Sequence, residues 1–109
     1  MSNYKKIIEI FKSRNVLLEQ LKEDNYNVEK YIGFNINEIN KLFNENQLDM
    51  LLENENNKVY IKYFINKTLR INNIHEIIED LYNIENILEK KDDLIIIIKD
   101  EPNATYTKL

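Results

Sequence analysis

Apolar residues recur at helical spacing from the start of the chain. Tyr4, Ile7, Ile8, Phe11, Leu18 and Leu21 form one stripe, and Lys5, Lys6, Lys12 and Lys22 lie largely off it. The spacing predicts a helix over 3–23, with Asp24-Asn25 as its stop. Val28 and Tyr31 are placed to pack back onto that helix, and Gly33, the only glycine, marks a tight turn. Asn35 suits a helix N-cap, and Glu38 three residues on completes a capping box. Ile36, Ile39, Leu42 and Phe43 then supply the buried face of a short helix ending near 44–46.

The period changes to two further on. Residues 47–53 and 58–65 read as strands. In the second, Val59, Ile61, Tyr63 and Ile65 face one way and Lys58, Tyr60, Lys62 and Phe64 the other. Between them Asn54-Glu55-Asn56-Asn57 is a polar turn of hairpin length. Asn73 with Glu76 repeats the capping pattern and predicts a helix carrying Ile74, Ile77, Ile78 and Leu81 on one face. A further turn or kinked continuation runs through Ile84, Ile87 and Leu88, with Lys90-Lys91 at a C-terminus where the macrodipole favours cations. The apolar run 94–98, bounded by Asp92-Asp93 and Lys99-Asp100, predicts a central strand covered on both faces. Strand, helix and strand then make a right-handed crossover joining a parallel pair. Pro102 suits the first turn of another helix starting near Asn103. An end at Leu109, inside that helix and close to a buried strand, suggests a fragment of a longer protein. The expected architecture is α/β: a small mixed sheet with helices on both faces.

Composition narrows the function. The chain has 109 residues, the size of one small domain, and its 43% hydrophobic content is enough for a single core. A net charge of −4 argues against a free-standing nucleic-acid binder, because phosphate neutralisation supplies most of such affinity. The absence of Cys removes disulfides, thiolate zinc sites and Cys nucleophiles, and a single His, His75, cannot build a His-rich metal site. No cofactor is expected. No segment resembles a signal peptide, and the longest apolar run is far too short to span a bilayer. A soluble intracellular protein is expected. Asn, Ile and Lys are abundant and Arg occurs only at Arg14 and Arg70, a bias that matches an AT-rich gene.

One enzymatic reading arises from the topology, which is similar to the restriction-endonuclease-like core. Such enzymes need an acid at the first strand and Asp/Glu-x-Lys on the second, the acids holding Mg²⁺ and the Lys steadying the attacking water. Asp49 fits the first position and Lys62 the last, but the middle position holds Tyr60, and Glu53 lies at the wrong end of the hairpin. Asp49 and Lys62 therefore read as a polar pair on a solvated strand face. Lys67, Thr68 and Arg70 follow the second strand at the carboxyl end where α/β ligands sit. They suit a phosphate or an acidic partner surface, or simply a solvated loop. His75, Glu79 and Asp80 read as solvated helix positions. Tyr60, Tyr63, Phe64 and Tyr82 could stack bases, but aromatics at such spacing are more often core, the assignment preferred for Tyr63.

With this order of elements, several stretches resemble the N-terminal jaw domain of the RNA polymerase subunit 5 family. They are Arg14-Asn15-Val16-Leu17-Leu18, Asn25-Tyr26-Asn27-Val28, Gln47-Leu48-Asp49-Met50-Leu51-Leu52, Lys58-Val59-Tyr60-Ile61-Lys62-Tyr63, Lys67-Thr68-Leu69-Arg70, and Leu94-Ile95-Ile96-Ile97-Ile98-Lys99-Asp100-Glu101-Pro102-Asn103-Ala104-Thr105. The chain looks most like the versions encoded by large DNA viruses. The resemblance implies that residues 1–109 are the jaw domain without the family's C-terminal docking domain. It implies a non-catalytic polymerase subunit supporting transcription. Its partners would be the largest subunit, the other polymerase subunits and, weakly, downstream double-stranded DNA, with no membrane. It would reside in the nucleus or, if viral, in the host cytoplasm, the virus factory and the virion. In the family a Thr-Pro-Ser-Ala turn approaches the DNA, so Pro102, Asn103, Ala104 and Thr105 are the implied DNA-contact residues. Glu101 departs from that pattern. A helix N-terminus there would offer backbone N–H groups to a phosphate without any basic side chain. Lys67 and Arg70 are the candidates for partner or phosphate contact.

Overall fold

A computed structural model describes residues 2–65, 68–98 and 104–108. Two helices, α1 (Ser2–Glu23) and α2 (Ile36–Asn44), precede the hairpin β1 (Met50–Glu53) and β2 (Lys58–Phe64). Helix α3 (Ile71–Glu79) runs into a π-helical turn (Asp80–Ile84), and β3 (Asp93–Ile98) and β4 (Ala104–Lys108) complete the chain. The strands form one mixed four-stranded sheet in sequence order. β1 and β2 are antiparallel, with Met50 opposite Ile61; β2 and β3 are parallel, with Ile61 opposite Ile95; β3 and β4 are antiparallel, with Ile95 opposite Tyr106.

The alternation in β2 divides the interior as its period predicts. Val59, Ile61 and Ile65, with Tyr63 packed against them, join Ile95 and Ile97 under α1 and α2. Tyr60 and Phe64 turn to the other face, where Leu94 and Ile96 meet Ile77, Leu81 and Leu88. Helices thus cover both faces, and β3 is buried from Asp93 to Ile97. That burial on both sides is why the run 94–98 needs no polar alternation.

Helix ends use asparagine where glycine is common. At the end of α1, Asn25 takes a φ of 69°. Its N–H reaches Lys22 O at 3.0 Å, and Tyr26 N–H reaches Leu21 O at 3.0 Å. This is a Schellman motif, and Tyr26 and Leu21 are both buried beneath it. Asn46 (φ 56°) closes α2 the same way, with Gln47 N–H on Leu42 O at 2.9 Å. Asn86 (φ 53°) follows the π turn. At the other end of α2, the capping box forms as expected: Asn35 Oδ1 accepts Glu38 N–H and Glu38 Oε1 accepts Asn35 N–H, each at 2.9 Å.

Several expectations are corrected. β1 begins at Met50, because Asn46 still completes the α2 cap and residues 47–49 make the connection. Helix α3 starts a turn earlier than Asn73: Arg70 is its N-cap, and Asn73 accepts Arg70 N–H at 3.0 Å through Oδ1. Its continuation widens into the π turn, closed by Glu85 N–H on Asp80 O at 2.8 Å. Ile84 consequently faces solvent, while Leu88 returns to the core through a loop. Lys90 and Lys91 lie in a turn instead of a helix end, and Lys91 Nζ donates to Asn56 O at 2.8 Å. Residues 104–108 form a strand instead of a helix. Thr105, Tyr106 and Thr107 have the β-branched and aromatic character that suits a strand, and β3 offers them an unpaired edge.

Candidate functional site

The polar centre of the molecule gathers around Asp49. The Asn46 turn delivers the chain to Leu48, whose carbonyl accepts Arg14 Nη1 at 2.8 Å. Asp49 follows directly and lies beside β2. Its Oδ1 accepts the backbone N–H of Tyr63 at 2.8 Å, and its Oδ2 accepts the Tyr60 hydroxyl at 3.0 Å. Lys62 Nζ lies 3.2 Å from the same Oδ2. Both side chains of this ion pair are partly exposed, at 35% for Lys62 and 25% for Asp49, so it is a water-accessible pair of modest energy. Burial first, and then the adjacent Asp49 charge, push the Tyr60 hydroxyl well above its ordinary range. Tyr60 is therefore a neutral donor to the carboxylate.

A cleft of about 280 Å³ opens beside this group, lined among others by Phe43, Leu48, Asp49, Lys62, Tyr63 and Ile65. It lies at the carboxyl end of β2, the end at which α/β sheets place ligands. Lys6 borders the neighbouring surface, donating to Ile65 O at 3.2 Å with its ammonium 5.4 Å from the Phe43 ring centre.

A Mg²⁺ site does not fit this donor set. One carboxylate is present where two are needed, and Tyr60, Lys62 and the Tyr63 amide already engage its two oxygens. Glu53 pairs with Lys58 at the far end of the hairpin, four residues or about 13 Å along the strand from Asp49. Among the described residues no three His, Cys, Asp or Glu side chains cluster as metal ligands would.

Arg14 is the residue that sequence reasoning missed. It is 2% exposed, and the rings of Tyr31, Phe34 and Tyr63 surround its guanidinium at 6.0, 5.9 and 5.9 Å. Three aromatic faces stabilise a cation that Leu48 O alone could not. Its Nε and the Tyr63 hydroxyl are buried without hydrogen-bond partners among the described residues. Burial raises the affinity of Tyr63 for its proton, and the Arg14 charge opposes that effect. The signal was a gap: position 14 falls on the apolar stripe, three residues after Phe11 and four before Leu18.

Of the other candidates, Arg70 is exposed. Lys67, Glu101, Pro102 and Asn103 lie outside the described residues. Ala104 and Thr105 start β4, opposite Ile97 and Ile96, so the helix N-terminus expected to face a phosphate is replaced by strand. His75, Glu79 and Asp80 are exposed as expected. Tyr82 packs into the α3-side core and donates its hydroxyl to Asp92 O at 3.3 Å. No helix among the described residues is long and apolar enough to cross a membrane. Set against known protein families, curated proteins and solved structures, the chain finds no match.

Proposed function

We propose that this chain is a non-catalytic structural module, the jaw part of a subunit-5-like component of a DNA-directed RNA polymerase. The observation that carries the non-catalytic half is the saturation of Asp49 by Tyr60, Lys62 and the Tyr63 amide. A carboxylate so engaged holds a hairpin together and has no second acid with which to share a metal ion. The polymerase half rests on the residue stretches that resemble the subunit-5 jaw and on the element order through β3. An acidic domain of this kind is positioned by its protein partner, and any contact with downstream DNA is weak and made within the assembly. The test is affinity capture of the full-length protein from cells that express it. Stoichiometric recovery of the two largest polymerase subunits is expected; recovery of other proteins without any polymerase subunit overturns the assignment.

A second reading, a catalytically dead nuclease-like protein-interaction module, is favoured by one observation. Asp49, Tyr60 and Lys62 stand together in the positions that a restriction-endonuclease-like site would give to its acid, second acid and lysine. Tyr60→Glu supplies the missing carboxylate. Mg²⁺-dependent cleavage by this variant would support descent from such a site, and an inert, folded variant would count against it.

A further inference from the structure

At the opposite end of the sheet from Asp49, a cavity of about 330 Å³ opens between the last turns of α1 and the first residues of β2 and β3. Leu17 and Leu21 from the helix and Val59 and Ile95 from the sheet give it apolar walls. Its polar lining includes Asp93 and Asp24 beside Gln20, Tyr26 and Asn54, and contains no Lys or Arg among the described residues. The carboxyl end of α1, the negative pole of that helix, lies alongside.

Asp93 is the unusual member. It is 9% exposed, and its Oδ2 has only a long contact, 3.5 Å, to Asn57 Nδ2. Its Oδ1 is buried with no hydrogen-bond partner among the described residues. Its neighbour Asp92 shows the contrast, with both carboxylate oxygens engaged by backbone N–H groups. A buried carboxylate oxygen left unpaired is costly, and a cation supplied from outside removes that cost. A cavity of this size with apolar walls and a carboxylate in its lining matches a short alkyl chain ending in an ammonium.

We propose that this pocket binds a primary alkylammonium group, with the Asp93 carboxylate as its counter-ion and Leu17, Leu21, Val59 and Ile95 around its methylene chain. The group is either a lysine side chain presented by a partner or a free aliphatic amine. The proposal stands independently of the polymerase reading. Within the chain, Lys108 is the register partner of Asp93 across β3 and β4.

The experiment is amide chemical-shift mapping of the full chain titrated with n-butylamine, with n-butanol as the neutral isostere. Saturable shifts centred on Tyr26, Val59 and Ile95 are expected with the amine and not with the alcohol. Asp93→Asn, checked for folding by circular dichroism, should weaken the amine at least about tenfold. Nα-acetyl-lysine methylamide and 1,5-diaminopentane then separate the sources. Binding of the blocked lysine assigns the pocket to a partner's lysine, and binding of the diamine alone assigns it to a free amine. Equal shifts with butanol, no shifts with any amine, or amine binding only after Lys108→Met would overturn the proposal, the last because the chain's own lysine then fills the site. The butanol comparison decides the matter even if Asp93→Asn fails to fold.

Discussion

Tyr60 of β2 donates its hydroxyl to Oδ2 of Asp49, the residue before β1, at 3.0 Å, and the Lys62 ion pair joins the same two segments. The hydrogen bond is charge-assisted and half-buried, so Tyr60→Phe should destabilise the domain by about 1–2 kcal/mol. Asp49→Ala should cost more, about 2–3 kcal/mol, because it also strips the Tyr63 amide of its acceptor. Urea unfolding of the two variants beside wild type checks the order. A larger loss in Tyr60→Phe than in Asp49→Ala would contradict it.

Arg14 should tolerate a long apolar replacement better than a short one. Arg14→Ala leaves a cavity among Tyr31, Phe34 and Tyr63 and an unpaired Leu48 carbonyl, a loss of about 3–5 kcal/mol. Arg14→Met keeps most of the volume and removes a buried charge with no acid paired to it among the described residues, so its loss should be no more than about half as large. Denaturant midpoints at constant m-value test the contrast, and equal losses would mean that the charge itself is what the site requires.

The fully buried Asp92 ties two segments together. Its Oδ1 accepts Lys58 N–H at 2.7 Å at the start of β2, and its Oδ2 accepts Glu89 N–H at 2.8 Å in the preceding loop. Asp92→Ala should cost about 3 kcal/mol or more, with hydrogen-exchange protection lost first at Lys58 and Glu89. Protection retained at both amides would show that the backbone alone holds these segments.

Alkaline pH should unfold the domain. Burial raises the proton affinity of Tyr26, Tyr60, Tyr63 and Tyr82, and neighbouring carboxylates add to it for Tyr26, Tyr60 and Tyr82. In the unfolded chain these phenols ionise at about pH 10. Above that, the unfolded state loses protons that the folded state retains, so stability falls as pH rises. The contribution is fully present below about pH 10 and is lost progressively above it. Unfolding free energies measured across this window check the slope, and Tyr60→Phe should flatten it.

Much of this architecture is legible in residue order. The α1 stripe, the Asn35–Glu38 box, the Asn54 turn and the double burial of β3 follow from local patterns with one dominant solution. The errors share a different cause: a residue type was given its commonest role. Arg14 was left off the stripe for its charge, although an aromatic cage makes that position habitable. Asp49 reads from sequence as half of a solvated polar pair and Asp92 only as a boundary of the apolar run, although backbone amides bind both. Lys58 and Tyr63, which supply two of those amides, are distant in sequence and leave no local trace. Asn73 and Glu76 offered one capping register and Arg70 with Asn73 another, one turn apart, and tertiary packing selected the earlier. Pro102 was read as a helix opener, but the free edge of β3 gave the following residues a better-paired state. The abundance of Asn, attributed to codon bias, also serves the fold: with one glycine available, Asn25, Asn46 and Asn86 take the left-handed positions.

The outer side of β1 bears on how such molecules could associate. Tyr31 places its hydroxyl against Leu51, accepting that residue's N–H at 3.1 Å and donating to its carbonyl at 3.2 Å, and Asn27 N–H occupies Glu53 O at 3.0 Å. One phenol thus consumes both main-chain groups that a foreign strand would need. Fibrillar growth requires two adhesive borders per subunit. With the β1 border sealed, strand-to-strand association through β4 would end at a closed pair, and a Tyr31→Phe chain would be the one liable to polymerise.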